Sequence, residues 1–279
     1  MFLKVGSPLE LTPTVLQVLS KNGVKTAEQL LRRDPHSLPL DTSLVLNLQR
    51  KIYSKIVLEP QTLSQLYQRA VDNQAIISTG DRNVDELLGG GFFTGEHVDI
   101  CGDPDVRSKF CLRSMSELVR EDPGASVVYV DSGSNFHPEE MVEVFKSDLE
   151  HLNRVQVVFP SGISELLTFL DQTHLGRLRP RMIVINAFVD IVKPFMINND
   201  PIAALGLLNH VAATIRSLAV HLKLSLLTTN DFINDEPALG KMWLGSPHMR
   251  IAVKGLGDVV VLKSTRKTLA GGTGEAGCS

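Results

Sequence analysis

No stretch of the 279-residue chain approaches the roughly 18 consecutive apolar residues of a membrane span, and the residues before Lys21 lack the apolar run of a signal peptide. A protein that stays inside the cell and off the membrane is expected. Cysteine is scarce: Cys101, Cys111 and Cys278 are an odd number with no CxxC and no His-rich spacing. That excludes a disulfide framework and a zinc site and leaves reduced thiols. Cys278 stands second from the end, where a prenylation box would need it fourth, so no lipid anchor is expected. Aromatic residues are only 5% of the chain, and its one tryptophan, Trp243, is expected in core or interface packing rather than on a base-stacking platform. Histidines such as His174 and His221 show no ligand spacing, so no metal site is expected. Positive charge is not in excess either. A net charge of −3 excludes nucleic-acid binding driven by bulk electrostatics.

What is present is ordinary for a folded protein, with 43% hydrophobic and 21% charged residues. The charge is uneven along the chain. Residues 1 to 58 hold eight Lys and Arg against four acids, a balance of +4 that leaves −7 for the rest. Arg32, Arg33, Arg50 and Lys51 belong to this basic segment, which reads equally well as a solvated surface or as a weak DNA-facing patch. Thr12-Pro13 is a helix start, Asn22-Gly23 a stop, and Thr26 with Gln29 a capping-box pair. A third apolar stripe runs through Leu44, Leu48, Ile52 and Ile56. These features predict a small all-helical N-terminal domain over 1–58, similar to helix-hairpin-helix modules. Residues 59–76 turn polar and Gln-rich around Leu63, Leu66 and Tyr67, which predicts a linker with a short anchor.

From residue 77 the pattern alternates. "HVDIC", a helix over about 107 to 121, "SVVYVD", a helix over 138 to 151, "VQVVF", a helix over 163 to 175 and "MIVIN" follow one another. A long helix over 201 to 222 then leads to "LSLLTTN", and "MRIAV" with "DVVVLKS" are expected to add an antiparallel edge. Short β-rich runs separated by amphipathic helices predict an α/β fold, a mostly parallel sheet covered by helices. The "AGGTGEAG" stretch predicts a flexible C-terminal tail.

Specific residues carry a resemblance. "STGDRNVDELLGGGFFTGEHVDICG" (78–102), with Thr79-Gly80, Asp85, Leu87-Leu88, Gly89-Gly90-Gly91 and Gly95-Glu96, resembles the opening of the RecA-like recombinase core. "TTND" (228–231) and "PALGKMW" (237–243) with Arg250 match segments around that family's second DNA loop. Together with "ISTG" and "YVDS", they resemble the eukaryotic strand-exchange branch and, within it, the D-type paralogues. The resemblance spans nearly the whole chain and implies a RecA-like core over 77–279.

It also places a phosphate-binding loop at Gly102, Asp103, Pro104, Asp105, Val106, Arg107, Ser108 and Lys109. A working loop, GxxxxGK[ST], wraps backbone N–H groups around phosphates, adds a lysine charge and puts a hydroxyl on Mg²⁺. Here the second glycine is Arg107, the lysine is Ser108 and the hydroxyl is Lys109, while Asp103 and Asp105 bring charge of the wrong sign. The metal-linked strand ends in neutral Asn186, and the position of the water-activating glutamate is Gly133, with Asp131 displaced from it. ATP and Mg²⁺, the cofactors the resemblance brings, thus lose most of their ligands, and no catalytic residue is assigned. Arg107, Lys109 and a helix N-terminus leave altered phosphate binding open. The "DFINDE" loop carries three acids and "KPFMINND" a single Lys193, too little cation for strong DNA contact.

The resemblance implies a nuclear subunit that is non-catalytic or binds nucleotide weakly, and that assembles with other recombinase paralogues for homologous recombination and double-strand-break repair. Single-stranded or branched DNA would be met weakly or through the complex. Two alternatives stay open: a DNA-dependent ATPase with an atypical phosphate loop, and a DNA-binding adaptor working through the basic N-terminal domain.

Overall fold

A computed structural model describes residues 11–24, 26–56, 62–65, 68, 75–133, 136–146, 148–174, 178–198, 200–233 and 236–266. The chain divides into two compact units, Met1–Arg69 and Ala70–Ser279. In the first, helix α1 (Pro13–Lys21) starts where the Thr12 hydroxyl accepts the Val15 N–H, and it ends at Asn22 and Gly23, whose φ of +75° favours a residue without a Cβ. The reciprocal cap at Thr26 and Gln29 forms, both bonds at 3.1 Å, and opens helix α2 (Ala27–Leu31). Helix α3 (Thr42–Ile56) packs Val45, Leu48 and Ile52 against Leu19 and Leu30. The inward stripe therefore includes Val45, while Leu44 is exposed. Buried Gln49 ties α3 to the preceding turn by donating to the Leu30 and Arg33 carbonyls at 2.9 Å. Leu66 and Tyr67, the expected anchor, lie outside the described residues, as do Cys278 and the tail.

The second unit opens with strand β1 (Ile76–Ile77), helix α4 (Arg82–Leu87) and strand β2 (Phe92–Phe93). The Asp85 carboxylate accepts from the Ser78 hydroxyl at 2.6 Å and from the Thr79 N–H and hydroxyl at 2.7 Å. A Cβ on Gly91 would lie 2.3 Å from the Ile77 carbonyl oxygen. The Thr, Asp and triple-Gly string thus closes the corner where β1 and β2 pair.

The elements that follow are β3 (His97–Gly102), α5 (Pro104–Glu121), β4 (Val127–Asp131), α6 (Pro138–Val144), α7 (Leu149–Leu152), β5 (Val155–Val158), α8 (Ile163–His174) and β6 (Met182–Asn186). The unit continues through α9 (Phe188–Asn198), α10 (Pro201–Leu222), β7 (Ser225–Asn230), β8 (Phe232–Ile233), β9 (Glu236–Pro237), α11 (Gly240–Leu244), β10 (Met249–Gly255) and β11 (Asp258–Ser264). A seven-stranded sheet has the order β11-β10-β3-β7-β6-β4-β5. The expected antiparallel edge forms, β10 pairing antiparallel with β11, and β10 joins the rest of the sheet by running parallel to β3. Val127 and Tyr129 face the α5 side with Phe110 and Met115, whereas Val128 and Val130 face Leu166, Phe188 and Leu208 on the other. Strands buried on both faces need such unbroken apolar runs.

Two helix boundaries also differ. The helix expected over 138 to 151 is two helices, α6 and α7, with Lys146 at φ +54° between them. The helix expected from about 107 begins at Pro104, since Pro at the first position and an Asp cap start it early. Ile202–Leu222 reaches a mean hydropathy of 1.4, enough by length and composition to cross a membrane. Here Leu208, Val211, Ile215 and Leu218 of that helix lie in the core.

Candidate functional site

Neighbouring parallel strands end side by side at the carboxyl edge of the sheet: β3 at Gly102, β7 at Asn230, β6 at Asn186 and β4 at Asp131. Ligands of open parallel sheets bind at such edges. Between β3 and α5 there is a single residue, Asp103, whose carboxylate accepts from the N–H groups of Asp105 at 3.0 Å and Val106 at 3.4 Å. Pro104 has no N–H, and the Arg107 N–H bonds the Asp103 carbonyl at 3.0 Å. The amides that would converge on a phosphate therefore end on Asp103. Gly102 is needed for another reason, because a Cβ there would lie 2.4 Å from the Val253 carbonyl oxygen of β10.

Arg107 is 4% exposed. Its guanidinium donates to the Gly102 carbonyl at 3.2 Å and the Asn230 carbonyl at 2.8 Å, and it pairs with the Asp231 carboxylate. The cation thus spans the ends of β3 and β7 and is neutralised from within the chain. Ser108 sits 3.2 Å from the Tyr129 hydroxyl, whose ionisation burial makes harder. Lys109 is exposed.

The metal-linked positions are likewise engaged. The Asn186 amide oxygen accepts from the Thr229 hydroxyl at 2.9 Å, and that hydroxyl accepts the Ala187 N–H at 2.7 Å. Asp131, 2% exposed, accepts from the N–H groups of Gly133 at 3.3 Å and Phe136 at 3.1 Å, so it braces its own turn. These residues do not fit a magnesium-bound triphosphate. The Asp105 and Val106 amides end on Asp103, and the buried Arg107 cation is paired at the strand ends with the partly exposed Asp231, while Arg107 Nε has no partner in the described structure and Lys109 is exposed.

Sequence reasoning missed a buried charge cluster one layer below. Asp99, in the middle of β3 and fully buried, accepts from Thr228 at 2.8 Å, from the Asn230 amide at 3.1 Å and from the Arg250 Nε at 2.9 Å. The same Thr228 hydroxyl meets the His97 Nε2 at 2.9 Å. Burial, with repulsion from His248, Arg216 and Arg250, holds His97 well below its ordinary range. A detectable signal existed: "HVDIC" and "MRIAV" each place one charge inside an apolar strand, and such charges pair when buried.

Trp243 is fully buried, stacked on Phe188 with centroids 4.6 Å apart and edge-on to His97. Within the acidic segment the described residues Phe232 and Ile233 (β8) pair antiparallel with Pro237 and Glu236 (β9). His174 and His221 meet ring to ring at 5.9 Å, and among the described residues no group of His, Cys, Asp and Glu could hold a metal ion. Burial pushes the Cys111 thiol up to about 12, consistent with a reduced core cysteine.

No family model matches the chain. It is 26% identical over 275 residues to the DNA repair protein RAD51 homolog 4 of Bos taurus, covering 89% of this chain and 84% of that protein. The Mus musculus protein of the same name is 24% identical across 96% of this chain and 88% of its own length. Over 94 residues, 32% of the chain and 41% of the relative, it is 33% identical to the DNA repair and recombination protein RadB of Thermococcus kodakarensis. The chain is similar to RAD51 homolog 4 proteins over most of its length, and its mostly parallel sheet with the corner-closing opening string is consistent with a RecA-like α/β core.

Proposed function

We propose that the chain acts in DNA repair and recombination as a nuclear subunit that needs no nucleotide and assembles with other recombinase paralogues. Its relatives are named as DNA repair proteins, and the fold is the one such proteins would use. The observation that carries the nucleotide-independent part is the turn after β3. There Asp103 caps α5 and Arg107 is paired with Asp231, where a phosphate loop would need free amides and a lysine. Hydrolysis would further require a metal-holding carboxylate and a base, and the corresponding positions are Asn186 and Gly133.

The test is co-expression of the full chain with individual recombinase paralogues. A stable complex is expected with at least one of them, and it survives removal of ATP and Mg²⁺. A complex that forms only with Mg-ATP, and is lost in Lys109→Ala, would contradict this reading and support the ATPase alternative.

A further inference from the structure

The first rung between β3 and β10 is made by two histidines. His248, the residue before β10, donates its N–H to the His97 carbonyl at 2.8 Å, and its ring Nδ1 accepts the His97 N–H at 3.0 Å. A backbone N–H only donates, so that Nδ1 carries a lone pair and the ring is neutral, with its proton on Nε2. The His97 ring is fixed by the same reasoning. The Thr228 hydroxyl gives its one hydrogen to Asp99 at 2.8 Å, so at 2.9 Å it accepts from the His97 Nε2–H. The His97 Nδ1 is then bare and buried beside the edge of Trp243, without a partner in the described structure.

We propose that His97 and His248 form an acid-sensitive joint between β3 and β10, closed while both rings are neutral and broken by a proton on either Nδ1. On half-buried His248 that proton would point at the His97 N–H and remove its bond. On fully buried His97 it would be a charged donor with no acceptor. Cations dominate the surroundings of the pair: Arg216 of α10, Arg250 of β10 and Lys263 of β11. Arg216 is held there by the Gly245 and Ser246 carbonyls, and Lys263 by those of Leu244 and Pro247. Two carboxylates stand nearby. Asp99 is matched by Arg250, and Glu96, which favours a proton on His248, is held by Arg266. Burial first, and these cations second, lower both histidines. With both folded-state values below the ordinary value of about 6.5, the unfolded chain takes up protons first. The contribution of the joint is therefore whole above about pH 6.5 and is lost as the pH falls.

The experiment is urea unfolding of the purified full chain from about pH 7.5 to about pH 5.5, followed by the fluorescence of Trp243. This is the only tryptophan and it touches His97, so its emission reports the unit that holds the joint. Below about pH 6.5 the wild-type unfolding constant is expected to rise by up to about tenfold per pH unit for each histidine. His248→Asn keeps an acceptor where Nδ1 stands, and His97→Gln keeps a donor where Nε2 stands, yet neither replacement titrates. Each should flatten the slope, and the double variant should flatten it most, whatever their stability at the upper pH. A two-bond nitrogen–proton correlation on the wild type reads the rings directly, and the Nε2–H form is expected for both at neutral pH. Equal slopes in wild type and both variants, or a charged or Nδ1–H ring at either position at neutral pH, overturn the proposal.

Discussion

Replacing Asp99 by alanine is expected to cost the core unit about 3–5 kcal/mol, the usual penalty for leaving one partner of a buried ion pair alone. Asp99 has no exposed surface and Arg250 is 3% exposed, so water cannot take over the lost contacts. One terminal nitrogen of Arg250 already lacks a partner in the described structure, and Asn230 already has an unmatched amide oxygen. Losing Asp99 would also remove the acceptor that the Thr228 hydroxyl and the Asn230 amide share across β3 and β7, leaving them only His97 and the Ala238 carbonyl. At roughly 2–4 °C per kcal/mol for a domain of this size, the melting temperature should fall by about 6–20 °C. Thermal and urea denaturation read this directly. Asp99→Leu combined with Arg250→Met should recover most of the loss, because removing both charges leaves neither one buried alone. A loss below about 1 kcal/mol for the single substitution would mean that the cluster is not the centre of the sheet's polar bonding.

The second large effect is expected at Arg107, whose removal leaves the Gly102 and Asn230 carbonyls without these donors and Asp231 without its cation. Asp231 is 34% exposed on its side chain and can rehydrate, so Arg107→Ala should cost less than the Asp99 change, about 2–4 kcal/mol. The damage should be local. Hydrogen exchange should quicken in the β8–β9 hairpin, above all at the Ala238 amide, which bonds the Asp231 carbonyl at 2.8 Å. Arg107→Lys should restore only part of the protection, since all three acceptors are met by the one terminal nitrogen Nη1, and an ammonium keeps the charge on a stem of different reach and geometry. Unchanged exchange in Arg107→Ala would show that the hairpin is held by other contacts.

The seven strands of the large sheet and their order along the chain were legible because each is a short β-rich run bounded by turn residues, while the two-residue strands β1, β2, β8 and β9 are too short to leave a pattern. The helix caps at Thr12, Thr26 and Gln29 were legible because they are local chemistry. Pairing partners were not. β10 looked like half of a hairpin with β11, and its parallel contact with β3, 151 positions from Asp99 to Arg250, leaves no local trace. At the candidate site, the altered residues at 103 to 109 could be named from the sequence, but what they do could not. From the sequence alone Arg107 is a cation placed to attract phosphate. Its burial against Asp231, 124 positions away, depends on where β7 ends, which only the folded sheet decides.

At the carboxyl edge of this RecA-like core the first amides of α5 end on Asp103 and the Arg107 cation is paired with Asp231. The most direct test is calorimetric titration of the purified full chain with ATP, with and without Mg²⁺, with turnover measured in parallel. The account predicts no saturable binding up to millimolar nucleotide and no hydrolysis, in wild type and in Lys109→Ala alike. Micromolar binding, or turnover that Lys109→Ala abolishes, would contradict it.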